Sequence, residues 1–291
     1  MATPAFAPLF ESLEPSTVAT GFIFTEGPLW DPSGFMYVSD VDGETHYRVD
    51  LSSGEKSVIR ENSGGANGAV FDSQGRVVIC EQNARRVRRY EADGSLALLA
   101  DRFEGKRLNR CNDVVRGPDD SLYFTDPDKK GLPEEEKDLG HAAIWRISSD
   151  GSLEMMAADI NHPNGLAFSP DGNTLYVSNS RPDPHLHAYD VASDGSLSGS
   201  RVVQEMPYGP AGELDGVPDG LKLDEDGNIF STGPGGLWIW DSGENHLGVF
   251  ELPELPANLG WGDADRKTMY VTARTSVYSL RVKTAGIPIQ P

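Results

Sequence analysis

The chain is poor in cysteine, in basic residues and in long apolar runs, and each shortage removes a class of protein. Its 291 residues include two cysteines, Cys80 and Cys111. Two thiols so far apart build neither a disulfide framework nor a zinc knuckle. Cys80 lies in the apolar run VVIC and reads as a small core residue, whereas Cys111 sits between Arg110 and Asn112. Lysine and arginine number 25 against 45 acidic residues, a formal charge of −20. Nucleic acid and anionic membrane surfaces both require a concentrated basic face, so neither is expected as a partner. The one basic cluster, Arg85, Arg86, Arg88 and Arg89, falls in a strand-like run whose alternation would split it between two faces, and it reads as a solvated outer strand. Residues 1–13 carry no basic segment and no long apolar run, so neither a leader peptide nor an anchor is indicated, and a cytoplasmic location is expected.

What is abundant is turn chemistry: 32 glycines and 20 prolines, dispersed along the chain. They punctuate a repeat. Glu26 stands five residues before Asp31, Asn67 before Asp72, Asn112 before Gly117, Asn164 before Ser169, Asp219 before Asp224 and Asn258 before Asp263. After each comes a short apolar stretch, a turn rich in Asp, Gly, Pro or Ser, and a β-branched or aromatic run: MYVS, VVIC, LYFT, LYVS, IFST, MYVT. A second hairpin follows, with runs at 46–51, 87–91, 144–148, 187–191, 237–241 and 277–282. Four short strands per unit predict a four-stranded antiparallel blade, and six units predict a six-bladed β-propeller. The last unit has three strand runs, so a strand over 16–21 is expected to supply its fourth and close the ring, removing two exposed edges. The expected organisation is one domain over 1–291, with an arm over 1–15 whose Phe6, Leu9 and Phe10 pack against the outside.

In a propeller the first strand of each blade lines the central channel, so the six aligned residues converge on one end of the axis. Carboxylates and carboxamides in such a ring could hold a cation. Alternatively they are turn-capping residues of the kind common before strands. Asn67 and Asn258 are the members for which a structural role is expected most readily. Asn109-Arg110-Cys111-Asn112-Asp113 is dense in polar groups where the chain reaches the axis. A guanidinium there presents a rigid fork of donors to a substrate, or else only neutralises Asp113. The connection over 126–141 is the longest and most charged, either a substrate wall or a solvated insertion, and its His141 is a candidate pocket contact. His185 and His187 have no third imidazole or thiolate at suitable spacing and read as surface or edge residues.

EGPLW from Glu26, NRCND from Asn109, PNGLAFSPDGNTLYVS from Pro163 and VPDGLKLDEDGNIF from Val217, in order and at blade spacing, closely resemble the SMP-30/gluconolactonase/luciferin-regenerating family. FEGKRLN and YFTDP around the third motif look most like its bacterial gluconolactonase branch. The resemblance implies a six-bladed propeller with one divalent cation on the axis, with Glu26, Asn164 and Asp219 as ligands. It further implies Asn112 as a fourth ligand or substrate contact, Arg110 as a substrate-holding residue, and Asp219 as general base. The sixth unit departs from the pattern: it reads NLGWGD, which places Trp261 and Asp263 near the mouth, with Trp261 an expected substrate contact. Asn179 stands where many relatives have Asp.

An oxygen-only donor set favours calcium, magnesium, manganese or ferrous iron, with zinc as a substitute. The leading expectation is metal-dependent hydrolysis of a lactone, most simply an aldonolactone such as glucono-1,5-lactone, by a monomer or small homo-oligomer. The alternatives are an aromatic lactone or organophosphorus ester at the same site, or a calcium-binding propeller that catalyses nothing.

Overall fold

A computed structural model describes residues 3–128, 138–208 and 214–288. Strand β1 (Ser16–Thr20) precedes six antiparallel sheets of four strands each. The first blade runs β2 (Thr25–Asp31), β3 (Phe35–Asp40), β4 (Thr45–Asp50) and β5 (Lys56–Glu61). The second runs β6 (Ala66–Phe71), β7 (Val77–Glu81), β8 (Arg86–Tyr90) and β9 (Leu96–Ala100). A two-stranded hairpin, β10 (Arg102–Phe103) and β11 (Lys106–Arg107), leads to the third: β12 (Val114–Arg116), β13 (Leu122–Asp126), β14 (Ala143–Ile147) and β15 (Leu153–Ala157). The fourth comprises β16 (Pro163–Phe168), β17 (Thr174–Asn179), β18 (His185–Val191) and β19 (Leu197–Glu205), and the fifth β20 (Leu221–Leu223), β21 (Ile229–Gly233), β22 (Gly236–Trp240) and β23 (His246–Phe250). The sixth joins β24 (Pro256–Gly262), β25 (Thr268–Ala273) and β26 (Ser276–Arg281) to β1, in the order β1-β26-β25-β24. This is the six-bladed propeller expected, closed by the N-terminal strand through pairs such as Ser16 with Ser279 and Thr20 with Ser276.

Burial follows from stacking the blades. All five residues of β7, β13, β21 and β22 are buried, because both faces of an inner strand meet neighbouring blades. The outermost strands are more open: β5 and β19 are largely exposed, and β9 and β15 mostly half-buried. Between blades lie apolar clusters, such as Val78, Leu108, Phe124 and Trp145 between the second and third. Hairpin ends are held by aspartates: Asp72 Oδ1 accepts the Gln74 and Arg76 amides, both at 2.9 Å, and Asp224 Oδ1 accepts those of Asp226 and Asn228. The N-terminal arm carries one 3-10 turn, Ala7–Leu9, and buries Phe6 and Phe10 against Phe250 and Phe230.

Two expectations are corrected. The arginine cluster is not a solvated outer strand, because β8 is the third strand of its blade. Arg85 is 4% exposed and donates to the Leu108 carbonyl at 2.6 Å, and Arg86 meets Glu81 at 2.5 Å. His187 is not a surface residue either. It is buried in a chain of hydrogen bonds from His185 through Ser200 to Asp159, held there because β19 covers β18.

Candidate functional site at the head of the axis

The first strands of the blades reach the axis through an irregularity. Register shifts fall between Glu26 and Leu29, Ala66 and Ala69, Pro163 and Leu166, and Pro256 and Asn258. Such bulges re-aim side chains at the rim of a closed assembly. Neighbouring blades are then tied around the axis by a contact made at three of the six seams, in which the residue after a ring member donates its amide to the next ring member's carbonyl. Gly68 donates to Asn112 at 2.9 Å, Gly165 to Asp219 at 3.1 Å and Gly220 to Ala257 at 2.7 Å. By these links, with Glu26 at the equivalent position of the first blade, the ring is Glu26, Asn67, Asn112, Asn164, Asp219 and Ala257. Counting back from the turn is one residue out in the sixth blade, where the strand holds an extra residue between axis and turn, so Asn258 belongs to the tier beneath.

That tier is glycine in four blades, Asp113 and Asn258 in the other two. The glycines are required: a Cβ on Gly68 would stand 2.1 Å from Asp113 Oδ1, and one on Gly220 would stand 2.2 Å from Asn258 Oδ1. Asp113 and Asn258 lie three blades apart, on opposite sides of the axis, and are held alike. Each accepts the following amide at 2.8 Å and donates its own to a threonine hydroxyl, Thr125 or Thr272. Asn258 Nδ2 donates to Glu26 Oε2 at 2.8 Å. Lys222 Nζ lies 3.5 Å from Asp113 Oδ2.

Glu26 is 2% exposed and also accepts the Gly27 amide at 3.0 Å. Burial pushes its carboxyl up to about 7; the Asn258 hydrogen bond opposes this and the Asp113 charge reinforces it. Asp219 is pushed well above the usual carboxylate range, first by burial, then by the charges of Glu26 and Asp113, with the Asn164 hydrogen bond opposing. Asn164 donates Nδ2 to Ser180 at 3.0 Å, and Ser180 is itself fixed on the Pro218 carbonyl at 2.6 Å. With its nitrogen engaged by Ser180 and Asp219, Asn164 keeps Oδ1 to accept or coordinate. Asn67 donates to Gln82 at 3.2 Å, and its buried Oδ1 has no partner. Neither Glu26 nor Asp219 forms an ion pair with a described cation.

Beside these groups is a cavity of about 210 Å³ walled by Gln82, Arg110, Asn112, Pro127, His162 and Arg181. Arg110 is half-buried, donates to Asn83 Oδ1 at 3.0 Å and has its pKa lowered by desolvation. Gln82, His162 and Arg181 were not singled out by the sequence. A signal existed, because Gln82, Pro127 and Arg181 each follow the second strand of a blade. The strand-end residues themselves hold the chain entering the axis. Asp126 accepts the Asn109 amide at 2.9 Å, and Asn179 Oδ1 the His162 amide at 2.8 Å, so Asn179 performs with an amide what Asp126 performs with a carboxyl.

The structure does not bring Trp261 to this cavity. It lies near the far end of β24, is 5% exposed, and donates Nε1 to the Leu223 carbonyl at 2.9 Å. It walls a different cavity with Phe168, Pro118 and Ile287, at the opposite end of the channel, because four residues of extended chain separate it from Ala257. Asp263 is held by Thr268 and Tyr270 at that same end. His141 is half-buried against its own neighbour's carbonyl, outside the cavity wall just described. The interior of the 126–141 connection, residues 129–137, lies outside the described residues.

No three His, Cys, Asp or Glu gather as a metal cluster among the described residues, and no described helix is long and apolar enough to cross a membrane. Residues 24–275 match the model of the SMP-30/Gluconolactonase/LRE-like region. A gluconolactonase of Zymomonas mobilis is 30% identical over 292 residues, spanning 92% of this chain and 81% of that protein. The pentonolactonase XacC of Haloferax volcanii is 27% identical over 256 residues, spanning 85% and 80%. Among solved structures, a gluconolactonase from Xanthomonas campestris superposes with a TM-score of 0.85 at 31% identity, covering 97% of this chain and 94% of that one. On its matched length, its blades and its relatives together, the chain belongs to the SMP-30/gluconolactonase/LRE family.

Proposed function

We propose that this protein hydrolyses a lactone, with an aldonolactone such as glucono-1,5-lactone as the substrate class, at the head of the axis and with a divalent cation. The carrying observation is the pair Glu26 and Asp219: two buried carboxyls, both pushed up by burial and by the Asp113 charge and Asp219 also by Glu26, in no ion pair with a described cation, next to a cavity walled by Arg110 and Asn112. The gluconolactonase and pentonolactonase relatives support the same reading.

The residues present fit a resident cation. Their donors are hard oxygens, the carboxyls form no ion pair with a described cation, and Asn67 Oδ1 is a buried acceptor without a donor among the described residues. Glu26, Asn164 and Asp219, with Asn112 as a fourth, would hold it, and calcium suits such a set first, ahead of magnesium, manganese, ferrous iron or zinc. When bound, the cation supplies a Lewis acid for the lactone carbonyl and its developing negative charge. The remaining work falls to the chain. Arg110 and Asn112 orient the ring, and Asp219 accepts a proton from the water that adds to the carbonyl carbon. The endocyclic acyl C–O bond then breaks, the ring oxygen leaves as a hydroxyl with a proton, and the product is the open-chain hydroxy acid.

The test is acid release from glucono-1,5-lactone, other aldonolactones, dihydrocoumarin and a phosphorofluoridate, using chelated protein with single cations restored. Turnover of sugar lactones that returns with one cation is expected. Turnover confined to the aromatic or phosphorus compounds, or none with any cation, overturns the proposal. Trp261, an aromatic ring that would favour a flatter substrate at the mouth, stands at the other end of the channel and lends the aromatic or phosphorus compounds no support.

A further inference from the structure

This protein carries 20 more negative than positive charges, so carboxylates are plentiful for its arginines. Arg60, Arg76, Arg146, Arg201 and Arg281 each meet one at 2.5 to 3.4 Å. Arg110 and Arg181 do not. Neither forms an ion pair among the described residues, yet each has a buried Nε with no hydrogen-bond partner. Arg110 spends one Nη on Asn83, and Arg181 makes no hydrogen bond to a described acceptor, although its charge acts on Asp219 from beyond ion-pair distance. Both wall the same cavity of about 210 Å³.

A guanidinium grips an oxyanion through parallel hydrogen bonds from its N–H groups. Two guanidiniums on one cavity wall, neither paired with a described carboxylate, suit a ligand that brings its own negative charge. The two arginines come from different blades, Arg110 just before Asn112 and Arg181 just after β17, and so approach the cavity from separate sides.

We propose that Arg110 and Arg181 form an oxyanion subsite, so that the preferred lactone carries a second, anionic group remote from its carbonyl: a phosphate, sulfonate or carboxylate. The proposal rests on the lactonase reading for the word lactone, and on the arginine pair for the anion. It makes Arg181 a specificity-determining residue. A neutral aldonolactone would leave the two guanidinium charges without a carboxylate-like partner, whereas an anionic one supplies it and binds more tightly.

The experiment measures kcat and KM, corrected for spontaneous opening, on glucono-1,5-lactone and on its 6-phosphate, for the wild type, Arg181→Gln and Arg181→Lys. In parallel, calorimetry compares 1,5-anhydroglucitol, its 6-phosphate and inorganic phosphate, none of which has a lactone to open. The expected result is a preference for the phosphorylated lactone of about tenfold or more in kcat/KM, carried by KM, as one charge-assisted interaction would give. Arg181→Gln should collapse that ratio to within about twofold, and Arg181→Lys should restore part of it. Equal kcat/KM for the two lactones, a preference that survives Arg181→Gln, or inorganic phosphate binding as tightly as the sugar phosphate would overturn the subsite. Tight, Arg181-dependent binding of the 6-phosphate analogue without turnover of any lactone would uphold the subsite and overturn the lactonase reading instead.

Discussion

The two ends of the central channel differ in how their polar groups are met. At the opposite end from the ring is the larger cavity, about 350 Å³, walled by Val70, Val115, Phe168 and Trp261. There Trp261 Nε1 meets Leu223, and Lys222 reaches from that wall to the Leu221 carbonyl and up to Asp113 in the tier beneath the ring. At the ring end the cavity is smaller, yet neither Glu26 nor Asp219 forms an ion pair with a described cation, Asn67 Oδ1 has no donor among the described residues, and neither Arg110 nor Arg181 pairs with a described carboxylate. Size therefore does not mark the site. Unmet hydrogen-bonding and charge capacity does, because a buried polar group without a partner costs stability and persists where a ligand supplies what is missing.

This contrast is open to test by disturbing each end in turn. The largest effect is expected from Asp219→Asn, which should lower turnover of the lactone by about 10³-fold, within the range of a lost general base, with the circular dichroism of the fold unchanged. Retention of wild-type turnover would take Asp219 out of its role.

Next in size is Lys222→Met. It strips a mostly buried carboxylate of its partner and should cost about 3 kcal/mol in a denaturant titration. A negligible loss would show that the two ends are not distinguished by pairing.

A slightly smaller gain should follow from saturating the chelated protein with its cation. At a hundred times the dissociation constant, binding stabilises by about 2.7 kcal/mol, read as a rise in Tm. The pH dependence has a definite sign. The folded carboxyl of Glu26 sits at about 7, above its ordinary value of 4.5, so its contribution to stability in the chelated protein is full below 4.5 and is lost as pH rises through 7. Glu26→Gln should flatten that decline, and a Tm that rises with pH across this window would contradict the burial argument.

The smallest effect is expected at the opposite end. Trp261→Phe keeps most of the packing but loses the bond to Leu223, so it should cost about 1 kcal/mol of stability while kcat/KM stays at the wild-type value. A changed kcat/KM would return Trp261 to the substrate.

Much of the architecture was legible in the chain. Strand and turn are local properties, set by alternating β-branched residues and by aspartates that cap their own hairpins, so six similar stretches announce six blades. Glu26, Asn164 and Asp219 were legible for the same reason, since each occupies one position of a repeat. Trp261 misled because NLGWGD names a residue near a motif without saying at which end of an extended strand it stands.

What the sequence by itself determined is therefore the repeat: its number, its strands, its closing strand, and the recurrence of an oxygen-bearing side chain where the chain meets the axis. Only the tertiary structure decided which residues from different repeats meet. It set Ala257 rather than Asn258 in the ring through the Gly220 amide, and slotted Asp113 and Asn258 beside glycines of neighbouring blades. It also gathered Gln82, Arg110, His162 and Arg181 around one cavity. The reason is physical: hydrogen bonds within a hairpin depend on residues a few positions apart. Contacts around the axis depend on how closely six blades approach, and spacing along one chain does not record that distance.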